Sequence, residues 1–474
     1  MSYLNDYLLS LPESERRGAE KRVKDLLEIG FSSERVAVDL IEYEKATGVT
    51  PQKRVKSEMY DKMNYMCRKY MDRMARCAYT YDFKIDFDAF KDAILCVFEL
   101  APVFRSSFVN NYISPYWRVE PYKAEDIFTA YETDDLDKEV MAFLKHEIGF
   151  ESNVQFKVGF FTKGESTAIA FYWNHMLMDG GGFHQFFRDV SRAYTEFMEN
   201  GSFKMNFKTG TRHFSAVYKD MEKKFAKKAK KQLSNASPRE KKHLPFSEKT
   251  SEDKVCIAYR EVPKEIFSSA IKKARSFGAT ANDLLIACYA DAVKSMVNFE
   301  GSISISSACD LRRYIKKLDE IGYTNHTTFM PCTVEVMNGD ITETLKRVAA
   351  STKKSKSDPF LGLHGLPLLS FAYSAMIYAQ AEPTVKFFYN NASFGLSNIG
   401  NLNTDAYSLS GKSPIKGFVA GAAKNKPFTF VTALTVEGTL YLTMSFKGNE
   451  RDEKMLDEFF LNMQRAMESF IGGE

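Results

Sequence analysis

Apolar and polar positions fall into regular periods over much of the chain. Between Val154 and Phe160 they alternate, with Val154, Phe156, Val158 and Phe160 on one side, which predicts a half-buried strand. Lys163-Gly164-Glu165 predicts the turn, and the apolar run from Thr167 to Asn174 predicts a second strand. Past Asp179, apolar residues recur at helical spacing: Phe183, Phe186, Phe187, Val190, Tyr194 and Phe197. The order is hairpin, short loop, helix.

The same reasoning places the other elements. Residues 1 to about 52 predict a helical preface, with Val23, Leu26 and Leu27 on one face of a first helix. Val36, Leu40, Ile41 and Tyr43 mark a second, starting after Ser32-Ser33 and ending near Gly48 and Pro51. Met63, Met66, Tyr70, Met74 and Cys77 predict one helix from Tyr60 to Cys77 whose stripe is core. A strand from Ala78 to Phe83 and a helix through Phe87, Phe90, Ile94 and Val97 come next. Further on the pattern predicts a strand over 255–262 and a helix over 264–276. A helix capped at Thr280, a buried strand over 302–306, and a hairpin of 428–436 with 440–446 follow. No solenoid or heptad repeat is visible.

Composition adds bounds. The 474 residues are about three times the usual ~150 per domain. With 44% hydrophobic and 27% charged residues the chain is globular, and 39 Phe and 24 Tyr imply a large buried interior. The net charge of +4 is concentrated: Lys219 to His243 holds ten basic and three acidic residues, so this one segment carries +7. That argues against a nucleic-acid-binding surface and suggests a linker, with attraction of an anionic partner as the functional alternative. Seven scattered cysteines without a CxxC pair fit neither a disulfide framework nor a zinc module. No signal peptide and no transmembrane segment is apparent, so a cytoplasmic location is expected.

The sharpest chemical feature is Trp173-Asn-His175-Met-Leu-Met-Asp179-Gly180-Gly-Gly182. It sets His175 after a buried strand and before a helix N-terminus, where α/β proteins place reactive groups. Two blander readings compete. One is a hydrogen-bonded core histidine. The other is a metal site of His175, Asp179 and His184, disfavoured because His184 falls within the amphipathic helix.

The stretch resembles the HxxxDG motif of the CoA-dependent acyltransferase superfamily, which includes chloramphenicol acetyltransferase, alcohol acetyltransferases and peptide-synthetase condensation domains. Four other segments are similar to family elements in the same order. They are Glu99 to Phe108 around Arg105, Thr280-Ala-Asn282-Asp283, Cys309-Asp310-Leu-Arg312-Arg313, and Ser397-Asn398-Ile-Gly400. The likeness spans about residues 55 to 470, leaves 1–52 without a counterpart, and is closest in flavour to the bacterial alcohol acetyltransferase-like branch. The plant DFGWG motif is absent, and the doubled histidine of most condensation domains is here Asn174-His175.

The resemblance implies an α/β fold of two chloramphenicol-acetyltransferase-like lobes, each a mixed sheet with helices. Residues 1–52 would form the helical extension, 53–215 the first lobe, 216–252 a basic linker and 253–474 the second lobe. His175 would be the general base, in a channel between lobes, for acyl transfer from acyl-CoA to a small alcohol or amine. A neutral imidazole suits that task, and the thioester's good leaving group removes the need for a protein nucleophile, a metal or a permanently bound cofactor. Asp179 would pair with Arg312 and brace the loop, Gly180 and its neighbours would allow a tight turn, and Asn398 would be an oxyanion or substrate contact. Two alternatives stay open: a condensation-type enzyme using an acyl carrier protein, and a non-catalytic binding protein of the same fold.

Overall fold

Two sheets organise the chain in a computed structural model, which describes residues 3–48, 52–202, 204–207, 210–232, 240–337, 339–389, 391–402 and 404–473. The first runs Lys416–Ala420, Met74–Tyr81, Ser166–Asn174, Phe156–Lys163, Phe128–Glu132. Its neighbours are antiparallel except the last pair, which is parallel. The hairpin read from alternation sits at its centre, turning at Gly164 with φ of 56°. The helices Phe87–Leu100 and Gly180–Asn200 cover one face, where Phe187 meets Phe90 and Phe171. Helix Leu136–Leu144 covers the other, with Phe143 against Phe161 and Tyr172. Each fully buried Phe is worth about 1.5–3 kcal/mol, so this aromatic layer dominates the first core.

The second sheet runs Thr327–Glu335, Ser302–Asp310, Phe394–Asn401, Thr429–Val436, Thr439–Gly448, and Lys254–Val262 also pairs with the last of these. The helices Ala281–Val297 and Glu450–Gly472 bury Leu285, Tyr289, Phe459, Phe460 and Met463 in a separate core. Thr280 caps its helix through a capping box with Asp283. The fold is therefore α/β with two lobes, each a mixed sheet with helices. Among the described residues, no helix is long and apolar enough to cross a membrane.

Several expectations change. The methionine stripe is not one helix: the helix Met59–Met66 gives way to a short turn, and Met74 and Cys77 lie in the strand Met74–Tyr81. Arg73 breaks the run with a φ of 68°, and Asp72 accepts a hydrogen bond from the Met74 N–H (3.0 Å), starting the strand. Methionine packs in either conformation, so its spacing carried no period. The strand also begins four residues before Ala78 and stops at Tyr81. The strand Ser302–Asp310 is half-buried, with Ile303 and Ile305 inward and Ser302 exposed. The first lobe is not contiguous either, because Lys416–Ala420 from the second half completes its sheet beside Met74–Tyr81.

The preface is three helices, Tyr3–Ser10, Glu13–Ile29 and Glu34–Thr47, the first of them unforeseen. Val23, Leu26, Val36, Leu40 and Ile41 are buried against the first lobe. Backbone N–H groups of Ser32 and Ser33 donate to Asp92, at 2.9 and 3.1 Å. Arg22 bridges Glu44 and Glu99 at 2.8 and 2.9 Å. Pro51 lies outside the described residues. So does the Ser234–Pro238 part of the basic segment, whose described part includes the helix Lys223–Ala229, with Phe225 stacked on Phe360.

Candidate functional site

The loop after Ser166–Asn174 is built by its own side chains first. Asn174 Oδ1 accepts the Met176 N–H at 3.1 Å, and Asn174 O accepts the Leu177 N–H at 2.8 Å, closing a turn. Trp173 stacks on Phe183 at 4.5 Å and donates from Nε1 to Met178 O, clamping both ends of the turn together. Asp179 then caps the helix Gly180–Asn200 by accepting the Gly182 N–H at 2.8 Å.

Residues distant in sequence complete the support. Arg212 donates to Met176 O and Leu177 O, both at 3.1 Å, while Asp61 holds its guanidinium bidentately. Asn325 donates from Nδ2 to His175 O (2.9 Å) and Met176 O (3.3 Å). The four carbonyls from His175 to Met178 are thus all engaged, which fixes the loop before any substrate arrives.

His175 itself is half-buried, and its N–H donates to Arg73 O at 2.7 Å. Its ring Nδ1 lies 3.0 Å from Asn325 Oδ1. Since the Asn325 amide N–H groups point at two carbonyls, the amide oxygen must face the ring, and the opposite orientation would set oxygen against oxygen. Nδ1 therefore carries the proton, and Nε2 keeps its lone pair.

Asp179 is buried and its two oxygens accept five hydrogen bonds. The donors are Gly182 N, Arg312 Nη1 (3.1 Å) and Nη2 (2.8 Å), His326 N (2.7 Å) and Thr327 Oγ1 (2.7 Å). Burial alone would raise this carboxyl, but the Arg312 charge and these donors outweigh it and hold it well below the usual range. Arg312 loses to burial as well, yet Asp179 and Asp310 raise it on balance. His326 is buried with neither ring nitrogen hydrogen-bonded, and burial and the Arg312 charge push it down to about 4 despite Asp179.

The glycines have unequal reasons. A Cβ on Gly182 would lie 2.7 Å from Met178 Cβ and 2.8 Å from Thr324 O, and one on Gly181 would lie 2.5 Å from Arg312 Nη1. A Cβ on Gly180 would meet only Ile399 Cδ1, at an ordinary 3.6 Å. The Ser397-Asn398-Ile399-Gly400 segment therefore reaches the motif helix through Ile399. Asn398 Oδ1 accepts the Gly400 N–H at 3.0 Å across a bulge in its strand. His184 rests on the Tyr407 ring at 5.5 Å, and Arg105 joins Arg22 and Tyr122 around Glu99 beside a cavity of about 380 Å³ that no residue of the His175 loop lines. Among the described residues no group of three or more His, Cys, Asp or Glu is placed to hold a metal.

The motif and the family resemblance named His175, Asp179, Gly180, Arg312 and Asn398, and the fold brings the first four together. Asn325, Arg212, Asp61 and Thr327 escaped notice. Each is a single polar residue, in a helix (Asp61), at a strand's first position (Thr327) or between elements (Arg212, Asn325), with no period to mark it.

No protein-family model matches the sequence, and no curated protein matches it. Solved structures do share its fold. The first condensation domain of the CDA synthetase matches with a TM-score of 0.63 at 11% identity, covering 88% of this chain and 97% of that one. A trichothecene 15-O-acetyltransferase from Fusarium sporotrichioides matches at 0.61 and 12%, covering 88% and 94%. The starter condensation domain of rhizomide synthetase, solved with C8-CoA and Leu-SNAC, matches at 0.59 and 10%, covering 88% and 95%. The fold is thus one shared with condensation domains and with an O-acetyltransferase.

Proposed function

We propose that this protein is an acyltransferase that moves an acyl group from a CoA thioester to the hydroxyl or amine of a small acceptor. The carrying observation is His175, whose Nδ1 faces Asn325 Oδ1 so that Nε2 is the free base. Nε2 takes the proton of the acceptor as its oxygen or nitrogen attacks the thioester carbonyl. The tetrahedral intermediate collapses, the C–S bond breaks, and the imidazolium returns the proton to the departing thiolate. General-base help of this kind is typically worth about 10²–10⁴-fold.

The other named groups act on geometry. Asp179 and Arg312 fasten the loop without touching the reacting atoms, and Gly181 and Gly182 let Arg312 and Thr324 approach it. Asn398, with its oxygen spent on the bulge, has its amide N–H₂ left for an oxyanion or substrate contact. Acyl-CoA is a co-substrate, and no permanently bound cofactor enters. The fold shared with an O-acetyltransferase and with a domain solved with C8-CoA supports this reading.

A second donor has its own support. Lys223, Lys224, Lys227, Lys228 and Lys230 are exposed around the helix Lys223–Ala229, which Phe225 and Ala229 anchor. That basic face suits an acidic acyl carrier protein. A panel of acyl-CoA lengths against pooled alcohols and amines, followed by free thiol release, tests the main reading. Turnover with free acyl-CoA supports it. Salt-sensitive turnover only with carrier-bound acyl groups favours the second donor, and thioester left intact by both leaves a binding protein.

A further inference from the structure

Three arginines stand close together where the chain enters the first sheet, and only one lacks a carboxylate. Arg68 pairs with Glu382 at 2.7 Å, and Arg76 pairs with Asp72. Among the described residues Arg73 makes no ion pair. Its Nε donates to Asp72 O at 3.2 Å, its guanidinium carbon lies 3.5 Å from the centroid of the Phe150 ring, and its Nη1 is buried without a partner. The residue is 7% exposed.

The neighbouring acids are committed elsewhere. Asp72 accepts from Arg76, from the Met74 N–H and from the Ala423 N–H, and Glu147 pairs with Lys447 at 2.7 Å. Arg68 caps the far side of the same aromatic pair, lying over Tyr65, whose ring is 4.6 Å from Phe150. Burial pushes Arg73 down to about 10, with Asp72 and Glu147 opposing, so it stays charged at neutral pH.

An unpaired buried guanidinium is costly, and the backbone beneath it is strained, since a non-glycine residue holds a φ of 68°. The place is special as well. Met74 pairs with Asn174 in the ladder, so Arg73 stands opposite His175, and Arg73 O accepts the His175 N–H at 2.7 Å. A charge kept without a carboxylate, on the residue whose carbonyl holds the His175 N–H, is satisfied when a ligand supplies the counter-charge.

We propose that Arg73 binds an oxyanion carried by a substrate, a carboxylate on either the acyl chain or the acceptor, beside His175. The proposal rests on the acyl-transfer reading and narrows it to anionic substrates. Neutral acceptors and plain acyl chains leave the Arg73 charge unanswered.

Two matched pairs test it: succinyl-CoA against butyryl-CoA, and a hydroxy or amino acid against its carboxamide. In the wild type, kcat/KM favours the carboxylate in at least one pair, by about 10-fold or more. The pair that shows the preference identifies the source of the anion. In Arg73→Met the preference collapses towards unity, and Arg73→Lys keeps part of it. No preference in the wild type, or the same preference in Arg73→Met, overturns the proposal.

A readout without turnover separates this from failure of the acyl-transfer reading. Succinate raises the melting temperature of the wild type and leaves that of Arg73→Met unmoved, while unliganded Arg73→Met melts no lower than the wild type. Equal succinate shifts, or an Arg73→Met protein several degrees less stable, make Arg73 a packing residue and overturn the proposal even if acyl transfer stands. A succinate shift specific to Arg73 with no thioester turnover keeps the anion site and sinks the reaction instead.

Discussion

Asp179 and Asp92 are both buried and both receive backbone N–H groups, yet only Asp179 faces a guanidinium. Asp179 holds the His175 loop to a segment of the second half, so its carboxylate must stay charged, and Arg312 with three further groups keeps it so. Asp92 holds the N-terminal helices to the first lobe through Ser32 and Ser33 alone. Burial outweighs those hydrogen bonds and pushes its carboxyl up to about 6. The lesson concerns the two carboxylates: Asp179, which specifies one loop geometry, is held charged by its guanidinium, whereas Asp92 receives uncharged donors in a helical layer whose ion pair lies elsewhere, at Arg22 and Glu99.

Breaking each anchor exposes the contrast. Arg312→Ala leaves Asp179 buried without its counter-charge and should cost about 3–5 kcal/mol, whereas Asp179→Ala, after which Arg312 keeps Asp310, should cost less. Activity should fall with stability. Asp92→Asn keeps one acceptor oxygen but turns an amide N–H₂ towards one of the Ser32 and Ser33 N–H groups, and with no buried charge left behind it should cost about 1–2 kcal/mol. Denaturant melts of the variants check both, and equal losses would remove the distinction.

Sterics give the next largest effect. Gly182→Ala drives a methyl into Met178 and Thr324 O and should destabilise by about 1–3 kcal/mol. Gly180→Ala meets only Ile399 at van der Waals distance and should stay within about 0.5 kcal/mol. Thermal melting of the two variants side by side tests whether the motif's glycines serve the brace or the turn.

Acid separates the two regions by sign. His326 is neutral when folded, down to about 4 against 6.5 unfolded, so unfolded chains bind the extra proton between those values. The loop therefore loses stability as pH falls from 6.5, by up to about 1.4 kcal/mol per pH unit. Asp92 works the other way: its folded carboxyl binds a proton more tightly than 3.8 implies, so its contribution grows as pH falls from about 6. His326→Phe should flatten the acid loss and Asp92→Asn should steepen it in melts taken from pH 7 to 4. The reverse pattern would contradict both assignments.

How much of this could be read in advance follows from period and range. Strong periods were legible: the hairpin at 156–174, the helix at 180–200 and the hairpin at 429–448 stand where alternation and helical spacing put them. The methionine stripe misled because Met74 and Cys77 fit a strand as well as a helix. Lys416–Ala420 completing the first sheet was invisible, since pairing with Met74–Tyr81 is a long-range choice no local pattern records. At the site, His175 stood out by its place between strand and helix, and Arg312 only through a family resemblance. Asn325 had neither signal, yet it orients the ring.

That orientation makes Asn325 the finest test of the loop. Asn325→Ala should cost roughly 10-fold in kcat and about 1–3 kcal/mol in stability, because the ring's alignment is lost together with the donors to His175 O and Met176 O. Asn325→Asp should set a negative charge at Nδ1, favour the imidazolium and move the acid limb of the pH–rate profile upward. An unchanged profile would mean that Nδ1 does not face residue 325 in the working enzyme.

The central claim is that His175 Nε2 takes the acceptor's proton. Its most direct test is the initial rate of thiol release from one acyl-CoA and acceptor pair by wild type and His175→Ala at matched folding. The account predicts a fall of about 10²–10⁴-fold with an unchanged melting temperature. Full transfer by a well-folded His175→Ala protein would contradict it.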